Sequence, residues 1–213
     1  MQVVARIQGH PSRAHLHSPL AESLGLPTET IIHASDPPSP WAGYRVCLSG
    51  LPDCTHLVVV QDDAVVCRNF GPAVEQIAES NPDTPVVLFL AHLPRRTARD
   101  ATRAMKVHQR YVDLFIRDFC PVVGMLWPTH KAAEMMEWTK NPKGLPGGEG
   151  ARSDDAVVGR WMLVTRQRIR ATVPSLVQHP DMEPSLIGRK PAWGRDRGRV
   201  AMFFAEDGLG YEW

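Results

Sequence analysis

The chain is short of several features that would classify it at once. No apolar run approaches the roughly 18 residues that cross a bilayer, and no charged segment precedes an apolar stretch near the start. Neither a membrane span nor a signal peptide is read, and the expected location is the cytoplasm. Charge of one sign is lacking too: the net charge of +1 excludes the strong basic bias of a non-specific nucleic-acid binder. The four cysteines, Cys47, Cys54, Cys67 and Cys120, form no Cys-x-x-Cys pair and have no histidine placed to complete a zinc pattern, so reduced thiols are expected. There is no Gly-x-Gly-x-x-Gly and no Gly-Lys-Ser/Thr of the Walker type, which argues against Rossmann dinucleotide and P-loop sites.

What is present is an ordinary globular composition, 43% hydrophobic and 22% charged over 213 residues. Apolar runs at 2–7, 30–33, 56–61, 85–90, 122–127 and 171–178 read as strands. Helical stretches are expected at 13–24, 41–51, 71–80, 129–139 and 153–163, and in part of 95–118. Ser12, Thr129 and Ser153 are the candidate caps, and Gly25 a candidate stop. Alternation of the two kinds of element implies an α/β class with a mostly parallel central sheet flanked by helices. No repeat or linker divides the chain, so 1–213 is read as a single domain, with a first half of about 1–90 and a second of about 91–213. Residues 141–150 are loop-like, and 188–199 are basic and loop-like. Arg189, Lys190, Arg195, Arg197 and Arg199 there would steer an anionic partner or simply be solvated.

The most informative segment is His56-Leu57-Val58-Val59-Val60-Gln61-Asp62-Asp63-Ala64. Four apolar residues suit a strand buried on both faces, and two carboxylates at its tip are costly unless something cationic meets them. A divalent ion carrying phosphates is one such cation, with Asp63 as the direct ligand and Asp62 on the opposite face, acting through water or on a sugar. A solvated turn is the alternative. His179 ends another strand and is a candidate third ligand or an ordinary surface residue. In Ser153-Asp154-Asp155 the acids suit a helix N-terminus, or one serves as general base, Asp155 first and Asp154 as fallback. The turn Gly9-His10-Pro11-Ser12-Arg13 follows the first strand, where Arg13 could pair with a phosphate or the residues simply form the polar first turn of a helix. Trp41, Tyr44 and Arg45 line a base or sugar pocket, or belong to the core.

Together these segments resemble glycosyltransferases of the GT-A fold, a single Rossmann-like domain. Val58-Val59-Val60-Gln61-Asp62-Asp63-Ala64 resembles their Asp-x-Asp-type metal motif, although it reads Gln-Asp-Asp. Ser153-Asp154-Asp155-Ala156-Val157-Val158-Gly159 resembles the acidic segment of inverting members, and Ser175-Leu176-Val177-Gln178-His179 the late strand whose histidine completes the metal site. His10-Pro11-Ser12-Arg13 and Ser185-Leu186-Ile187-Gly188 are similar to segments of small bacterial and actinobacteriophage members. The resemblance implies a nucleotide-sugar donor, most simply a UDP-sugar, and Mn²⁺ or Mg²⁺ held by Asp63, Asp62 and His179. It implies donor contacts from His10, Arg13, Asp36, Tyr44, Arg45 and Asp62, and an acceptor hydroxyl on a protein Ser/Thr, a modified DNA base or a glycan. The loop 143–152 would close over the donor. A phage-encoded member would act in its host's cytoplasm. The rival expectations are a metal-dependent phosphohydrolase or nuclease, and a non-catalytic module that binds nucleotide sugars.

Overall fold

A computed structural model of the chain describes residues 1–37, 39–91, 95–114, 122–141, 144–145, 153–180 and 200–213. Strand β1 (Val3–Gly9) leads through a 3₁₀ turn (Pro11–Arg13) into α1 (Ala14–Leu24), and β2 (Thr28–Ile32) follows. Next come α2 (Pro40–Cys47), β3 (His56–Gln61), β4 (Val65–Val66), α3 (Phe70–Ser80), β5 (Val86–Val87) and α4 (Arg95–Lys106). The later elements are β6 (Tyr111–Asp113), β7 (Gly124–Pro128), α5 (Thr129–Trp138), α6 (Asp154–Thr165), β8 (Arg170–Thr172) and β9 (Val177–Gln178).

Seven strands form one sheet in the order β2-β1-β3-β7-β5-β8-β6, and β4 pairs with β9 in a separate ribbon. The pairings set β1, β2, β3, β5 and β8 in one direction and reverse β7 and β6, so the sheet is mostly parallel. Strand β3 carries the two-sided burial expected of a central strand. Leu57 and Val59 join one apolar cluster, with Trp41 and Tyr44 of α2 and Val157 and Trp161 of α6. Val58 and Val60 join the other, with Leu20 and Leu24 of α1 and Phe70, Val74 and Ile77 of α3. The period-two alternation of a strand thus splits one apolar run between the two helical layers.

Several local expectations are corrected. The run 85–90 contributes only Val86 and Val87 to the ladder. Beyond them Leu88 N donates to Gly124 O at 2.9 Å, and Leu88 O accepts from Leu176 N and Val177 N at 2.9 and 3.1 Å. The strand expected over 171–178 is two strands, β8 and β9. Ser12 does not cap α1. Its N–H instead donates to His10 Nδ1, and Arg13 is the capping position. Thr129 is the first residue of α5, and its hydroxyl donates to Cys54 O at 2.7 Å rather than to the helix. Ser153 occupies the cap of α6 without a side-chain capping bond. Gly25 does end α1, at φ 60°, in the left-handed region that favours glycine. Cys47, Cys54 and Cys67 are free thiols, and burial pushes Cys47 up to about 12 and Cys67 up to about 11. No helix among the described residues is long and apolar enough to cross a membrane. The expected loop over 141–150 is described only at 141 and 144–145, and the basic segment 188–199 lies outside the described residues.

The packing of α1 on α3 depends on Gly71, where an added Cβ would sit 2.5 Å from Gly25 O and 2.9 Å from Leu24 O. Both neighbours are backbone atoms and cannot rotate away. Gly71→Ala is therefore expected to lose about 2 kcal/mol of stability. Urea unfolding measures this, and a variant within about 0.5 kcal/mol of the parent, the range of a neutral surface change, contradicts the close approach.

Candidate functional site

The site forms where the parallel strands β1 and β3 end side by side. Strand β3 stops at Gln61, and a turn closed by Ala64 N on Gln61 O at 3.1 Å carries Asp62 and Asp63. Leaving the strand breaks the period-two alternation, so the two side chains do not point to opposite faces as expected. Both reach the same nitrogen: Arg13 Nη1 donates to Asp62 Oδ1 at 2.9 Å and to Asp63 Oδ2 at 2.7 Å. Nor is the turn solvated, with Asp62 4%, Asp63 8% and Arg13 6% exposed. The cation demanded by two buried carboxylates is here a guanidinium.

The turn after β1 is bolted to the same acids. His10 N donates to Asp62 Oδ2 at 2.7 Å, and His10 Nδ1 lies 2.8 Å from Ser12 Oγ. His17, four residues beyond Arg13, places Nε2 3.6 Å from Asp62 Oδ2. That histidine was missed in the sequence, although the Arg13–His17 spacing is the one that brings side chains together on a helix. Gly9 makes room for it, since a Cβ there would stand 3.0 Å from the His17 ring.

His179 arrives by way of the ribbon. Strand β4 begins two residues after Asp63, β9 ends one residue before His179, and Val65 is paired with Gln178. This register sets His179 Nε2 3.4 Å from Asp63 Oδ2. Gln178 Oε1 braces the end of the ribbon, accepting from His179 N at 2.9 Å and from Ala201 N at 2.8 Å.

Helix α6 enters beside the strand tip. Gln61 Nε2 donates to Asp154 Oδ2 at 3.3 Å, and Asp155 N donates to Asp154 Oδ1 at 2.9 Å. Asp154 is buried, whereas Asp155 is half-buried and is bonded by the Ser153 hydroxyl and by Ala156 N. Burial, reinforced by the negative charge of Asp155, raises the Asp154 carboxyl to about 7 against the opposing pull of its hydrogen bonds. In the sequence Gln61 stood out only as the departure from Asp-x-Asp and was given no role, because an amide at a strand end carries no distinctive signal of its own.

The remaining expected donor contacts fall elsewhere. Tyr44 is fully buried, and its hydroxyl accepts from Trp127 Nε1 at 2.8 Å, so its ring belongs to the core rather than to an open pocket. Burial above all, with the Asp154 charge adding, holds its phenol well above the ordinary value. Trp41 is likewise core. Asp36 and Arg45 are exposed. A groove of about 590 Å³ lies at the other end of β3, lined by Met1, Cys54, His56, Asp83 and His130 among others, away from the acidic turn.

Whether Asp62, Asp63 and His179 fit a divalent ion turns on Arg13. The guanidinium takes one oxygen from each carboxylate, and no group of three or more His, Cys, Asp or Glu among the described residues is placed to hold a metal. A guanidinium bonded to both acids would repel an incoming Mn²⁺ or Mg²⁺. As arranged, the residues do not fit the ion.

No family model matches the chain, and no curated protein does. Seventeen chains of solved structures match. One of them, described as "Crystal Structure of A197 from STIV", is 14% identical over 84% of each chain with a TM-score of 0.47. That likeness is too distant to carry a functional inference.

A carboxyl with a raised native pKa retains its proton in the folded state while the unfolded chain releases it. Stability attributable to Asp154 is therefore fully present below about pH 4 and falls as pH rises toward about 7. Asp154→Asn removes this dependence. The variant is expected to match the parent near pH 4 and to gain on it by about 4 kcal/mol by pH 8. Urea unfolding across that range measures the difference, and a constant offset between the two proteins contradicts the assignment.

Proposed function

We propose that the chain is a glycosyltransferase that moves a sugar from a nucleotide-diphosphate sugar to an acceptor hydroxyl on a single GT-A-like domain. The observation that carries this is Asp154: a buried carboxyl raised to about 7, hydrogen-bonded to Gln61 at the same strand tip that presents the acidic pair. A general base works best when its pKa lies near the operating pH, because it is then both largely deprotonated and still basic. Asp155 is half-buried and tied by Ser153, which suits a residue of the first helical turn rather than the base. The base role therefore goes to Asp154.

In the proposed reaction the acceptor hydroxyl gives its proton to the Asp154 carboxylate as its oxygen bonds to the anomeric carbon. The bond from that carbon to the diphosphate oxygen breaks with its electron pair, which inverts the carbon. The position supports such a reaction, because ligands of open α/β sheets gather at the carboxyl ends of the parallel strands, where β1 and β3 deliver these side chains. The acceptor class is a hydroxyl of a protein Ser/Thr, a modified DNA base or a glycan, and a UDP-sugar is the first donor to try.

The test begins with thermal-shift measurements on a panel of nucleotide sugars, with and without Mn²⁺, followed by transfer assays with the donor that shifts most. Asp154→Asn is expected to retain the donor-induced shift while losing at least about 100-fold in transfer rate, the usual scale of a lost general base. Asp155→Asn should lose far less. The parent's rate should rise with pH to a plateau, with a midpoint near 7. Normal transfer by Asp154→Asn removes it from the base role, and the absence of any shift or transfer across the panel removes the proposal.

A further inference from the structure

The acidic turn already contains the cation it needs. Asp62 has both oxygens engaged, Oδ1 by Arg13 Nη1 and Oδ2 by His10 N. Asp63 Oδ2 receives the same guanidinium nitrogen, with His179 Nε2 at 3.4 Å. Mg²⁺ demands a near-octahedral shell at about 2.0–2.1 Å, built from oxygens that converge on one point. Here the two oxygens that converge do so on Arg13 Nη1, at 2.9 and 2.7 Å. Arg13 is not a chance visitor from a long loop. It closes the 3₁₀ turn Pro11–Arg13 and occupies the position just before α1, and the start of that turn is anchored to Asp62 through His10 N. The guanidinium and its acids are therefore held from both ends of one short segment.

We propose that Arg13 is the resident cation of the Asp62–Asp63 pair, a positioning residue that replaces a divalent ion there and leaves the native protein with no metal site at this turn. The pair then acts on the fold by drawing the β1 turn, the β3 tip and the β4–β9 ribbon together. Donor phosphates are not held there through a bridging ion. The inference goes beyond sugar transfer and does not rest on it.

Two measurements on the full chain test it. In the first, Mn²⁺ alone is titrated into the parent and into Asp63→Asn and followed by electron paramagnetic resonance. The expected result is the free-ion signal for both proteins, and a stoichiometric site in the parent that is lost in Asp63→Asn overturns the proposal. In the second, heat unfolding in a chelator compares the parent, Arg13→Met and Arg13→Met with Asp63→Asn. Arg13→Met should melt well below the parent, and the double variant should recover part of the loss, because one of two uncompensated buried charges is gone. An Arg13→Met protein that melts with the parent overturns the proposal. If Arg13→Met does not fold, the Mn²⁺ titration decides alone. Neither measurement contains a nucleotide sugar, so a failure of sugar transfer bears on the proposed function and not on Arg13.

Discussion

Two carboxylates at the end of a buried strand cannot remain ionised without a counter-charge. Leaving an uncompensated buried charge by removing one partner of such a pair costs about 3–5 kcal/mol. In this chain the counter-charge is Arg13, and the geometry of the whole sheet edge follows from it. The 3₁₀ turn must present the guanidinium to the β3 tip, so α1 begins where it does. The acids must leave the strand in a turn, so that both face one nitrogen. His17 and His179 then approach from α1 and from the ribbon, one beside each acid. The β1–α1 junction and the β3 tip, far apart in the sequence, are joined by a single bridging nitrogen, with the ribbon's His179 beside the second acid.

A second electrostatic contrast lies in the first turn of α6. Asp154 and Asp155 are neighbours with the same chemistry, yet successive residues of a helix point about 100° apart. One is carried under the strand tip toward Gln61, and the other remains half-buried beside Ser153. Burial, with the neighbouring Asp155 charge adding, raises the Asp154 carboxyl to about 7. A carboxyl held near neutrality in this way is suited to exchange protons in the proposed reaction.

The legible parts of the fold were those with strong local patterns. β1, α1, β3, α3 and α5 follow from apolar runs, helical spacing and the Gly25 stop. β6 was invisible because three residues, Tyr111–Asp113, offer no period to detect. The reversal of β7 was equally hidden, since a strand's direction is decided by where its connections lead and not by its composition. The same holds for the apolar run 85–90, only two residues of which join the sheet, because the stretch beyond them is claimed by 175–177 and by Met202.

The sequence alone determined that the chain is α/β, that β3 is a central strand, and that Asp62 and Asp63 need a cation if their turn is buried, because these are consequences of local pattern and of the cost of buried charge; that the turn is buried was decided by the tertiary structure. The sequence could not say which cation, since Arg13 and Asp62 are separated by 49 positions and only the parallel pairing of β1 with β3 brings their ends together. Nor could it distinguish Asp154 from Asp155, because the difference between them is one of solvation. Solvation is a property of the packed neighbours, and those exist only once α6 has docked against the strand tip.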